Sequence, residues 1–329
     1  MEFKRLSYRN KNNKILYYFI NYLRQLIPSI YFQKKLITQL NKFENLDSKK
    51  QDQLLYRVNY YNQLTENKPL SSKALQLSKI KLLKSIKTYY FDLYEYSRYF
   101  KNNLKGFFLF GDVTYVPIEP SFVKSRPINE DNINAVILKW NKIRHFTFIA
   151  NDSISFLEKK SQLLFRGKVH ASQPQRIKFL EKYHGHKLCN IGKVNSNSLN
   201  PKWMTKRMTI NEQLHYKFIL CLEGNDVASN LKWVMSSNSI AVMPKPKFET
   251  WFMEGILVAD HHYILIKDDY SDLEEKLNFY IENPKKASSI IENAHKHVSQ
   301  FQDQQTEHLL SLMVINKYFK KTNYYNGKT

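Results

Sequence analysis

Three places in the sequence set a charged or phosphate-compatible side chain at the end of an apolar run. The first is Arg166-Gly167, where Gln162-Leu163-Leu164-Phe165 stops, with Lys168 and Arg176 close behind. The second is the strongly apolar run Tyr216 to Leu222, which ends in Glu223-Gly224-Asn225-Asp226. Helical spacing follows it, with Val227, Leu231 and Val234 on one face and Lys232 one or two turns in. Gly224 admits close backbone approach, and the N–H groups opening a helix attract anions, so this junction suits a phosphate. Each feature also has a plainer reading: a solvated basic loop at Arg166, an ordinary strand-to-helix junction at Gly224. The third place is Asp112, which follows Gly106 to Phe110 and Gly111. A carboxylate at a strand end can take a proton from a hydroxyl, and an Asp after a glycine is also a common turn residue.

Metal chemistry finds little support. His184 and His186 with Cys189 have ligand-like spacing but no matching second pair. His261 and His262 open a strand and point to opposite faces. Asp268-Asp269 sits beside Ser271-Asp-Leu-Glu274, a capping box that explains the acids as helix-start residues. A phosphate-binding Walker loop, a Gly-x-Gly-x-x-Gly motif and a serine nucleophile elbow are all missing from the sequence.

The elements that must hold these residues alternate along the second half. Strands are expected at 106–110, 146–150, 162–165, 187–191, 216–222, 239–243 and 262–266, and helices over 226–236 and from Asp272 to about Glu282. Residues 117–134, with Pro117, Pro120 and Pro127, read as a loop. Strand–helix alternation of this kind makes a parallel, doubly wound sheet. Residues 33–105 are helical in pattern. Residues 14–27 form an amphipathic helix stopped near Pro28, suited to an anionic membrane interface or to packing on its own domain.

The net charge of +22 points to an anionic partner: lipid headgroups, phosphorylated substrate or nucleic acid. The 43% hydrophobic share excludes a disordered chain. The two cysteines, both in apolar runs, fit buried thiols in a reducing compartment. Residues 15–32 are interrupted by Asn21, Arg24 and Pro28, so neither an export signal nor a membrane span is expected there.

Ordered blocks then carry a resemblance. They are Phe110-Gly-Asp-Val-Thr-Tyr-Val-Pro117, Ser121-Phe-Val-Lys-Ser-Arg-Pro-Ile128, Leu164-Phe-Arg-Gly167 and Leu222-Glu-Gly-Asn-Asp-Val-Ala-Ser-Asn-Leu-Lys-Trp233. Met243-Pro-Lys-Pro-Lys-Phe-Glu-Thr-Trp-Phe-Met-Glu-Gly255 and Tyr263 to Leu273 complete the series. From Phe110 to about Phe301 the chain resembles glycosyltransferase family 90, in its bacterial lipopolysaccharide-modifying branch.

That resemblance implies a GT-B-like α/β architecture, two Rossmann-like halves with a cleft between them, plus a helix-rich N-terminal extension. It divides the chain into a membrane-associating helical region (1–105), the rest of the acceptor-side half (106–160), a donor domain (161–305) and a C-terminal helix (306–329) that can cross back to the first half. It implies transfer of glucose or galactose from UDP-glucose or UDP-galactose to a heptose of the lipopolysaccharide inner core, inverting and without a metal or other cofactor. Asp112 takes the place of the catalytic base. Tyr115, Lys124 and Arg126 fall on the acceptor side. The donor side receives Arg166, Gly167, Arg176, Gly224, Asn225, Asp226, Ser229, Asn230, Lys232, Glu249 and Glu254. Relatives carry an Arg near the start of the helix after the Gly224 turn, where this chain has Asn230, Leu231 and Lys232. The implied partners are a UDP-sugar, a lipid-anchored oligosaccharide and an anionic membrane surface. The implied place is the cytoplasmic face of the inner membrane. Transfer to capsule or another surface polysaccharide is the alternative within the class. A basic nucleic-acid-binding protein is the alternative outside it, although no nucleic acid is expected as partner.

Overall fold

The computed structural model describes residues 12–129 and 131–323, which form two compact units. One unit gathers Lys14–Ile143, Phe248–Phe252 and the chain from Phe301 onward. The other holds Arg144–Lys247 and Met253–Gln300. The described strands, in chain order, are β1 (Leu75–Gln76), β2 (Lys105–Leu109), β3 (Ser121–Val123), β4 (Ser125–Pro127), β5 (Ala135–Ile137), β6 (Lys160–Gly167), β7 (Cys189–Lys193), β8 (Tyr216–Leu220), β9 (Ile240–Met243), β10 (Phe248–Thr250) and β11 (Ile264–Leu265). The fold is α/β, with parallel strand pairs in both units.

The unit around Arg144–Lys247 is built on a five-stranded, wholly parallel sheet in the order β11-β9-β8-β6-β7. Parallel strands covered on both faces read as continuous apolar runs, and β8 and β9 are buried at every position. Leu163, Phe165, Phe218, Leu220 and Val242 meet Phe179 and Leu180 of helix Pro174–Tyr183, and Leu273 and Leu277 of helix Leu273–Glu282, in one core. The chain leaves β6 for β7 on one side and places β8 on the other. The sheet therefore has its topological switch point between β6 and β8, where ligands settle in doubly wound folds.

The other unit carries a four-stranded sheet, β1-β2-β3-β5, and a two-stranded antiparallel pair, β10-β4. Helix Gln304–Thr322 lies on it, with Tyr318 and Phe122 ring centroids 4.0 Å apart. A buried charge cluster ties that helix to helix Ser48–Tyr61. Glu307 takes Arg57 at 2.6 Å, Lys139 at 2.6 Å and the Trp251 indole N–H at 2.7 Å.

Four expectations need correction. The 146–150 strand does not form. Phe146 and Ile149 are buried as irregular chain, their backbone groups met by Asn12 and Ser236 side chains. The loop expected over 117–134 contains β3 and β4, because Ser121–Val123 is buried between β2 and β5. The helix expected over 226–236 is confined to Leu231–Met235; Asn230 bonds the Leu220 carbonyl instead of capping it. Ser271 does not cap its helix either. Its hydroxyl and N–H both go to Asp269, and a full capping box forms at Thr209–Glu212 instead.

Candidate functional site

In the unit around the parallel sheet, the loops leaving β6, β7 and β8 are stitched together at the switch point. Arg176, in the first turn of helix Pro174–Tyr183, donates from Nη1 to the Lys168 carbonyl at 2.7 Å. It donates from Nη2 to Leu222 at 2.8 Å and from Nε to Glu223 at 3.0 Å. Gln175 adds bonds to the carbonyls of Glu223 and Gly224 at 3.0 and 2.9 Å. One guanidinium thus holds the β6 and β8 loops in register. The close approach explains Gly224: a Cβ there would stand 3.2 Å from Arg176 Nη2 and 3.3 Å from Gln173 Nε2. On the other flank, Asn195 and Asn197 bond the Val169 backbone and fasten the β7 loop to the β6 loop.

This edge is rich in cations. Burial, with the charge of Arg144 adding to it, pushes Arg176 down to about 10. Among the described residues no carboxylate pairs with either guanidinium at salt-bridge distance. Lys193, fully buried at the end of β7 and opposite Gly167 in register, bonds only neutral oxygens: Asn197 Oδ1 at 2.7 Å and the Leu199 carbonyl at 2.5 Å. Lys168 is exposed beside them. Cations gathered without counter-charge at strand ends can take up a phosphate or diphosphate.

The other sequence-derived donor residues distribute as follows. Arg166 turns back along the sheet, giving Nη1 to the Asn190 carbonyl at 2.8 Å and Nη2 to Asn190 Oδ1 at 2.5 Å. Burial lowers its pKa, and its Nε is buried without a hydrogen-bond partner. Gly167 ends β6. Asn225, Asp226 and Ser229 lie in the turn between β8 and the short helix, Asp226 buried, with the Gly224 N–H bonded to the Asp226 carbonyl at 3.1 Å. Lys232 is fully buried and paired with Glu254 at 2.5 Å, which binds the short helix to the Glu254–Ile256 turn. Burial pushes the nearby Cys221 thiol up, and Lys232 opposes that.

In the other unit a second cluster surrounds Asp112. Gly111 sits at φ +114°, a conformation that turns the chain off β2. The Asp112 side chain, one-third exposed at 33%, receives an ion pair from the buried Lys124 ammonium. Ser125 Oγ bonds both the N–H and the carbonyl of Val113 at 3.1 Å, pinning the backbone after Asp112 to the β3–β4 bend. Arg126 is buried. It reaches Glu249 Oε1 at 2.7 Å, the Ala135 carbonyl at 3.0 Å and the Tyr60 carbonyl at 2.8 Å. Glu249 also accepts from the Tyr60 hydroxyl, so it belongs with Arg126 in this unit, on β10. Tyr115 is exposed.

Comparison with known proteins identifies the family. The sequence model of Glycosyl transferase family 90 matches residues 129–325. The chain is also 41% identical over 307 residues to "O-glucosyltransferase LpsA" of Dichelobacter nodosus, across 93% of this chain and 95% of that protein. The chain belongs to glycosyl transferase family 90. A weaker likeness, 29% over 125 residues, links this glycosyltransferase to "Uncharacterized protein 179R" of Invertebrate iridescent virus 6, covering 35% of this chain and 10% of that one. Arg144, Arg176 and Lys193 lie inside the family segment of the glycosyltransferase, whereas Asp112, Tyr115, Lys124 and Arg126 precede it. Arg144 and Lys193 are residues the sequence reading missed. Lys193 had a signal, a lysine closing a strand of otherwise small and apolar residues; Arg144 had none in so basic a chain.

Proposed function

We propose that this glycosyltransferase moves a hexose from a UDP-sugar to a heptose of the lipopolysaccharide inner core. The supporting observation is the cationic edge at the switch point between β6 and β8, where, among the described residues, Arg176 and the buried Lys193 bond only neutral oxygens. A diphosphate is the ligand that would relieve them, and with Lys168 and Lys193 it would be neutralised as it departs. The name of the Dichelobacter nodosus relative, an O-glucosyltransferase, favours glucose over galactose as the sugar.

A cluster in each unit supports the following chemistry. Asp112 accepts the proton of an acceptor hydroxyl as its oxygen attacks the anomeric carbon. Lys124 orients the carboxylate and supplies its counter-charge. Attack opposite the leaving UDP inverts the anomeric centre. Arg and Lys donors stabilise the diphosphate, so this reading requires no metal. A GT-B-like division of labour accompanies it, the first unit serving the acceptor and the parallel-sheet unit the donor. Capture of UDP by isothermal titration tests the donor half of the proposal. Salt-dependent RNA binding together with indifference to UDP would overturn it.

A further inference from the structure

The helix Lys14–Leu26 is packed inside out. Its polar edge faces the protein: Tyr17 donates to Asp92 at 2.7 Å, Arg24 pairs with Glu95 at 3.0 Å, and Asn21 is its one buried residue. Tyr17, Tyr18 and Tyr22 set ring edges against Phe91. Its apolar edge faces outward, with Ile15 84%, Phe19 60%, Leu23 45% and Leu26 78% exposed. The outward face continues past Pro28. Phe32 is buried and held under the Arg98 guanidinium at 3.6 Å, while Ile30, Tyr31 and Ile37 remain exposed. Surface helices normally do the reverse, and an exposed apolar stripe of this extent marks an interaction surface.

Charge names the partner. Residues 1–42 carry nine basic side chains against one acidic, and exposed Lys14, Lys34 and Lys35 border the apolar face. Lys87 lies over the Tyr18 and Tyr22 rings. A second copy of the chain would set like charges against each other, whereas an anionic surface complements them. None of the described helices is long and apolar enough to cross a membrane. We infer that the face of residues 15–37 lies in the headgroup region of an anionic phospholipid bilayer, the helix parallel to its plane. This inference rests on that surface alone and not on the donor site.

Flotation with phosphatidylcholine vesicles, with and without phosphatidylglycerol, tests it. The chain should float with the anionic vesicles and bind neutral ones at least about tenfold less well. The double variant Phe19→Ser/Leu23→Ser, at exposed positions, should bind anionic vesicles about 10- to 100-fold less well with an unchanged melting temperature. Lys34→Gln/Lys35→Gln should lose about tenfold, and added salt should erase that difference. A wild-type chain that stays at the bottom, or a Phe19/Leu23 variant that floats equally well, overturns the inference. So does a dimer in sedimentation equilibrium that the same variant abolishes. UDP affinity should be the same in all variants; floating without UDP binding would instead refute the donor reading and leave this one standing.

Discussion

Replacing Arg144 by Gln should move stability and ligand affinity in opposite directions. Arg176 is held at about 10 against an ordinary 12.5, burial contributing most and Arg144 the rest. Arg144 is exposed, so water screens its share, and removing it should stabilise the unliganded chain by at most ~1 kcal/mol. The same guanidinium facing a diphosphate would make charge-assisted bonds contributing roughly 1.5–3 kcal/mol. UDP affinity should then fall about 10- to 150-fold. Urea denaturation without ligand and isothermal titration with UDP read the two quantities separately. Unchanged UDP affinity refutes the assignment. So does a variant that is clearly less stable without ligand, because it would show Arg144 to be structural rather than in need of an anion.

Three further outcomes follow from the geometry. Asp112→Asn should lower kcat about 10²- to 10⁴-fold while leaving the UDP dissociation constant unchanged, since Asn keeps an oxygen for Lys124; intact turnover removes Asp112 from the base role. Glu307→Leu leaves Arg57 and Lys139 buried without their carboxylate and should cost about 3–5 kcal/mol in denaturation, a loss absent if the cluster is solvated. Burial raises Asp92 to about 6 from 3.8, with Lys142 opposing. The folded chain then keeps a proton that the unfolded chain has lost, so this residue's contribution to stability falls as pH rises from about 4 to 6. Asp92→Asn should abolish that slope, worth about 3 kcal/mol, and an unaltered slope would show that another group causes it.

How much was legible depended on how each residue's role is written in the chain. The strands β6, β8 and β9 were visible because parallel strands covered on both faces leave continuous apolar runs, as Phe218 to Leu222 and Ile240 to Met243 do. β3 and β4 were hidden, three residues each among prolines, their burial set by neighbouring strands rather than by local pattern. Long-range exchange was equally invisible. Nothing local in Phe248–Phe252 shows that it joins the first unit, or that Glu249 meets Arg126. The turn at Gly224 was legible as a close approach, but the approaching group, Arg176, lies 48 residues upstream. For helix Lys14–Leu26 the amphipathic period was plain, while the face turned to the protein depended on Asp92 and Glu95 in another helix.

The central claim is tested most directly by supplying the purified chain with UDP-glucose and lipopolysaccharide from a strain lacking this protein. The products are then read by mass and linkage analysis. One hexose should be added to an inner-core heptose, in inverted configuration, with release of UDP and loss of the reaction in Asp112→Asn. Hexose appearing outside the core, with retained configuration, or not at all while RNA is bound, would contradict it.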